Sequence, residues 1–138
     1  MEKHVLHISN DLNELATVNK LISDLKSSWN LSDSLQFNLE LSLEEIISNI
    51  IHYGFPDEAT HEIEVCFEQG NKVLTVRITD DGIPFDPLHQ TAEQELDKPL
   101  EERQIGGLGI HFVRELSKKM EYQRKQEKNI LTIELNNQ

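Results

Sequence analysis

Apolar positions recur along this chain at two spacings, and each change of spacing marks an element. "KHVLHI", Lys3 to Ile8, reads as a short strand. Asn10 and Asp11 then stand as helix caps, with Glu14 three residues beyond Asp11 in capping-box spacing. Leu12, Leu15, Val18, Ile22 and Leu25 follow at intervals of three and four, which predicts one apolar helical stripe running to about Lys26. The polar stretch "SSWNLSDS" interrupts the stripe. Ser32 or Asp33 caps a second helix, which continues to about His52 with Leu39, Leu43, Ile46, Ile47 and Ile50 on its inner face.

Gly54 and Pro56 break that helix, and "HEIEVCFE" and "KVLTVRIT" follow as period-2 segments around "QGN", the pattern of a hairpin. Phe85 to Ile105 is polar and acid-rich, long for a connection inside a compact domain, and such segments are often lids. Thr91 and Gln94 within it have capping-box spacing, which predicts a short helix. "GGLGIHFVRELSKKM" then runs from a glycine turn into a helix, and "EYQRK" with "NILTIEL" closes the chain as a second hairpin turning around Glu127 to Asn129. Helices over one face of a mixed, mostly antiparallel sheet satisfy this order, an α+β two-layer sandwich.

Composition narrows the function classes. A length of 138 residues predicts a single domain, 1–138, with the lid at about 85–105. No apolar run approaches the roughly 20 residues of a membrane helix, and "MEKHVLHISN" has neither the charge nor the apolar core of a targeting segment, so a cytoplasmic location is expected. A net charge of −12 disfavours nucleic acid and anionic membranes and is compatible with a basic protein partner. Cys66 is the single cysteine, which excludes an internal disulfide, and its acidic neighbours Glu62, Glu64 and Glu68 on the same strand face disfavour a reactive thiolate.

Three stretches carry candidate chemistry. In "LSLEEIISNIIHYG", Glu45 and Asn49 stand four apart on one helix side and His52 follows a turn later, whereas Glu44 points about 100° away. In "TDDGIPF", Asp80 and Gly82 directly follow a strand, where a glycine admits close approach and the carboxylate can accept from an exocyclic amino group. In "GGLGI", Gly106 to Ile110, glycines open a helix whose unpaired amides suit an anion. Each has a plainer reading on its own: a solvated helix side, a β-turn, a flexible helix entry. No Lys-Ser or Lys-Thr follows the glycines, so this is not a Walker loop.

The three stretches in this order resemble the GHKL superfamily of gyrase, Hsp90, histidine kinases and mismatch-repair proteins, whose ATP site is the Bergerat fold. The resemblance spans nearly the whole chain. Within it, a free-standing domain of this size looks like the bacterial anti-sigma-factor serine/threonine kinases. That resemblance implies ATP and Mg²⁺ as cofactors, with Glu45 as general base and Asn49 as both nucleotide and metal ligand. It also implies Asp80 as adenine partner, Gly82 for close approach, and Gly106, Gly107, Leu108 and Gly109 as the phosphate segment. A late-strand threonine in the family suggests Thr132, and Arg103 is the candidate cation near the phosphates. His52 either orients the base or merely complements the helix dipole. The implied partners are a sigma factor and an anti-anti-sigma protein of the STAS type, with a homodimer admitted. A nucleotide-gated partner switch without phosphotransfer, or an ATPase component of a phosphorelay, stays open beside the kinase. Pro84 and Ile105 stand where many members have glycine.

Overall fold

A computed structural model describes residues 2–87 and 105–137, with the backbone alone for 105–108. The predicted lid helix from Thr91 and the candidate Arg103 lie outside the described residues. The first strand, β1 (Lys3–Ser9), leads through a 3-10 turn (Leu12–Glu14) into helix α1 (Leu15–Trp29). Asp11 caps this entry as its sequence position predicts, its carboxylate accepting from the Asn13 amide at 2.9 Å. The tighter turn rotates Leu12 out of the stripe, leaving it 42% exposed, while Val18, Ile22, Leu25 and Trp29 are buried. Helix α1 ends one turn beyond Lys26 because Asn30 adopts the left-handed conformation at φ 53, and its amide returns to the Lys26 carbonyl.

Ser32, rather than Asp33, caps helix α2 (Asp33–Tyr53), its hydroxyl accepting from the Leu35 amide at 3.1 Å. Leu39, Leu43, Ile46, Ile47 and Ile50 are all buried beneath it. Strands β2 (Glu62–Gln69) and β3 (Val73–Asp80) form the first hairpin. Helix α3 (Ile105–Leu116) stops before Lys119, so Lys119 and Met120 belong to strand β4 (Lys119–Lys125) and not to a longer helix. Strand β5 (Lys128–Asn136) completes the sheet. The last turn falls on Gln126 and Glu127, at φ 53 and 64, so Asn129 lies inside the strand rather than in the turn.

The sheet order is β1-β2-β3-β5-β4, and every pairing among the described residues is antiparallel. Alternation gives the sheet an inner face of Ile63, Val65, Phe67, Val76, Ile78 and Ile133, all buried with the inner faces of α1 and α2. The opposite face carries the row Val5, Cys66, Arg77, Thr132 and Glu121. One inner row runs Ile8, Ile63, Asp80, Asn129 and Arg124 across all five strands. It places two polar residues, Asp80 and Asn129, side by side where the core meets the ends of the helices.

Candidate functional site

Helix α2 presents its three polar residues at different depths. Asn49 is 6% exposed, Glu45 is half-buried, and His52 is exposed in the last turn with its ring 6.0 Å from that of Tyr53. The shared side expected for the three therefore narrows to Glu45 and Asn49. Helix α3 crosses Glu45 at close range: a Cβ on Gly109 would run into the Glu45 carboxylate, so a side chain at this position would displace the carboxylate from where it stands. Burial, and then the charge of Glu44, hold the Glu45 carboxyl above its ordinary value. Gly106, Gly107 and Leu108 fall in the first turn of α3, and Gly109 lies farther inside the helix.

Asp80 ends β3 and is 4% exposed. Its Oδ1 accepts from the Gly82 amide at 2.8 Å and from Asn129 Nδ2 at 3.0 Å, whereas Oδ2 makes no hydrogen bond with any described residue. Burial pushes the Asp80 carboxyl upward, and the Asn129 and Gly82 donors partly oppose that shift. At Gly82 the close approach that the structure shows is one within the protein. A Cβ there would strike the carbonyl of Gly54, the residue that caps α2, and the next amide, Ile83, donates to that same carbonyl at 2.8 Å. The turn after Asp80 is thus docked on the end of α2. Arg124 reaches over from β4 and donates to the Gly82 carbonyl at 2.8 Å.

Between these elements lies a pocket. Ile46 and Ile50 of α2, Ile110 of α3 and Leu131 of β5 give it apolar walls, and Asp80, Asn49, Asn129 and Tyr122 supply polar atoms. Thr132 is not among them. Its neighbours Leu131 and Ile133 are buried toward the helices, so the pleat turns Thr132 to the opposite face of the sheet, across from Arg77. Sequence reasoning missed Asn129 and Tyr122. The signal was present: in "NILTIEL", Asn129 is in phase with Leu131, Ile133 and Leu135, and an amide on the core side of a strand is unusual.

The pocket has apolar walls and, at one end, the Asp80 Oδ2, which no described residue hydrogen-bonds, so it offers an acceptor to a ligand donor. Among the described residues no cluster of three or more His, Cys, Asp or Glu could hold a metal. A cation here would rely on the Asn49 oxygen together with ligand oxygens and water, a donor set that fits Mg²⁺. No helix among the described residues is long and apolar enough to cross a membrane.

Comparison with known proteins adds an independent finding. The sequence model of the histidine kinase-like ATPase domain family matches residues 8–135. The chain is 29% identical over 109 residues to the serine/threonine-protein kinase BtrW of Bordetella bronchiseptica, an alignment covering 79% of this chain and 75% of that protein. It is 31% identical over 84 residues to the serine-protein kinase RsbW of Listeria innocua, covering 57% of this chain and about half, 52%, of that protein. The fold is similar to that of the Acinetobacter baumannii histidine kinase AdeS, with a TM-score of 0.52 at 18% identity, over 97% of this chain and 68% of the other.

Proposed function

The chain belongs to the histidine kinase-like ATPase domain family, and from that premise we propose that it is an ATP-dependent protein serine/threonine kinase of the anti-sigma type. The observation that carries the reading is the pairing of two features. A buried Asp80 keeps one oxygen for a ligand, and Glu45 and Asn49 stand one turn apart on the helix that walls the same region. The two serine and serine/threonine kinases among its relatives support the choice of acceptor chemistry.

In this reading Asp80 takes the amino group of adenine and disfavours guanine, which carries a carbonyl oxygen at that position. Asn49 holds Mg²⁺ through its side-chain oxygen, and the first turn of α3, Gly106 to Leu108, turns its unpaired amides toward the phosphates. Residues 85–105 are the lid, on their polar composition and their place between the two motifs. ATP bound there would supply the γ-phosphoryl group and leave as ADP, and Mg²⁺ held by Asn49 would offset the charge that develops during transfer. Glu45 accepts the proton of the attacking serine hydroxyl, and its raised pKa makes it a better base than an ordinary solvated glutamate. The serine belongs to a STAS-type anti-anti-sigma protein, and a sigma factor is the second partner, as the resemblance to anti-sigma kinases implies.

Transfer of labelled γ-phosphate to a serine of a co-encoded STAS protein tests the proposal. Wild-type protein labels it, and Glu45→Gln lowers the rate by about 10²- to 10⁴-fold, the range expected for loss of a general base. If the wild type transfers nothing yet still exchanges partners with ATP, the chain is a nucleotide-gated switch. Labelling of a separate histidine-bearing protein would instead make it a phosphorelay component.

A further inference from the structure

The Asn129 side chain uses its whole hydrogen-bonding capacity inside the protein. It is 5% exposed on the inner face of β5, directly opposite Asp80 in the strand register. Its Nδ2 donates to Asp80 Oδ1 at 3.0 Å and to the Ile83 carbonyl at 2.8 Å. Its Oδ1 accepts from the Phe85 amide at 3.3 Å and from the Tyr122 hydroxyl at 2.5 Å. A primary amide offers two donors and one acceptor oxygen with two lone pairs, so all four positions are filled. These partners also fix which way the amide points. Turning it over would set its oxygen against a carboxylate and a carbonyl, both acceptors, and its NH₂ against the Phe85 amide, a donor.

Placing an amide among Leu131, Ile133 and Leu135 has a cost, because an unpaired buried amide is destabilising by several kcal/mol and even a paired one replaces apolar contact. A leucine or valine in that phase would extend the core without this demand. What the amide does instead is hold one end of the pocket. It occupies Asp80 Oδ1 from the side that the Gly82 amide leaves open, so the carboxylate has a single orientation and presents the other oxygen. Through Ile83 and Phe85 it also ties down the chain that leaves the Asp80 turn.

We propose that Asn129, locked by Tyr122, is the positioning residue that sets Asp80 to recognise the 6-amino group of a purine, and so determines nucleobase specificity. The inference rests on the reading of this pocket as an adenine site. Asn129 acts through Asp80, and its effect is therefore on discrimination between bases more than on nucleotide affinity as such.

Calorimetric titration with ATP and with purine riboside triphosphate, which lacks the 6-amino group, tests this in wild type, Asn129→Leu and Tyr122→Phe. Thermal melting verifies that each variant is folded. Wild type is expected to prefer ATP by about tenfold or more, the worth of one hydrogen bond to a charged group. Asn129→Leu collapses that preference toward unity, and Tyr122→Phe, which removes only the hydroxyl that locks the amide, reduces it part of the way. A purely structural role would weaken both nucleotides alike and leave the ratio intact. An unchanged ratio in folded Asn129→Leu overturns the proposal, and if that variant does not fold, an unchanged ratio in Tyr122→Phe does so. Failure of the underlying reading has a separate signature: the wild type itself would not distinguish the two nucleotides.

Discussion

Asp80 and Glu45 are both carboxyls that burial pushes toward their neutral form, and that shared direction sets what their amide variants do. A folded-state pKa raised above the unfolded value contributes stability that is present at acid pH and lost as pH rises through the folded pKa. At neutral pH, each ionised carboxylate therefore weakens the fold relative to a neutral isostere. Asp80→Asn retains an oxygen to accept from Gly82 and Asn129, and it places an NH₂ where Oδ2 was. Its melting temperature at pH 7 is expected to equal or exceed that of wild type, while ATP affinity falls by about tenfold or more, since a donor now meets the amino donor of adenine. A lower melting temperature with unchanged ATP affinity would contradict the placement of Asp80. Glu45→Gln follows the same sign for stability, so its loss of transfer is expected in a protein that melts no earlier than wild type. The pH dependence has a matching sense. Adenine binding weakens on acidification through the Asp80 pKa, at a pH above that of an ordinary aspartate.

At the scale of elements, periodicity is enough to place the strands and helices, because each has one face in a shared core. The apolar positions of α2 are the clearest case: all five that the spacing assigns inward are buried. What escapes the sequence depends on contacts between distant segments. The exposure of Leu12 comes from a 3-10 entry that the capping residues do not announce. The partner of Gly82 is the Gly54 carbonyl, and that of Gly109 is Glu45, neither of them a sequence neighbour. Thr132 rests on a resemblance alone, and strand alternation places it on the far face, while Asn129 sits where the polar contact to Asp80 is made. The β4-β5 turn offers a test of element energetics. Gln126 and Glu127 both have positive φ, the geometry of a type I′ hairpin in which side chains are disfavoured. Replacing them with Asn-Gly is expected to stabilise the protein by about 1 kcal/mol, read by denaturant unfolding with an unchanged m-value. A destabilised double variant would mean that the wild-type side chains hold the turn in some other way.

For the whole molecule, the decisive arrangement is that the antiparallel sheet and the helices over it meet at the pocket around Asp80. The inner row of the sheet delivers Asp80 and Asn129 to it and α2 delivers Asn49, while Glu45 stands one turn before Asn49 on α2, against Gly109 of α3. A chain with a net charge of −12 that takes up a triphosphate needs a cation to offset the repulsion. In the proposed reading that cation is Mg²⁺, held by Asn49 and the nucleotide's own oxygens. The most direct measurement is calorimetric titration of the wild-type protein with ATP and with GTP, each with and without Mg²⁺. ATP is expected to bind one per chain in the presence of Mg²⁺ and markedly more weakly without it, and GTP to bind about tenfold or more less tightly than ATP. Equal affinity for ATP and GTP, or ATP binding indifferent to Mg²⁺, would contradict the assignment of Asp80 to the base and Asn49 to the metal.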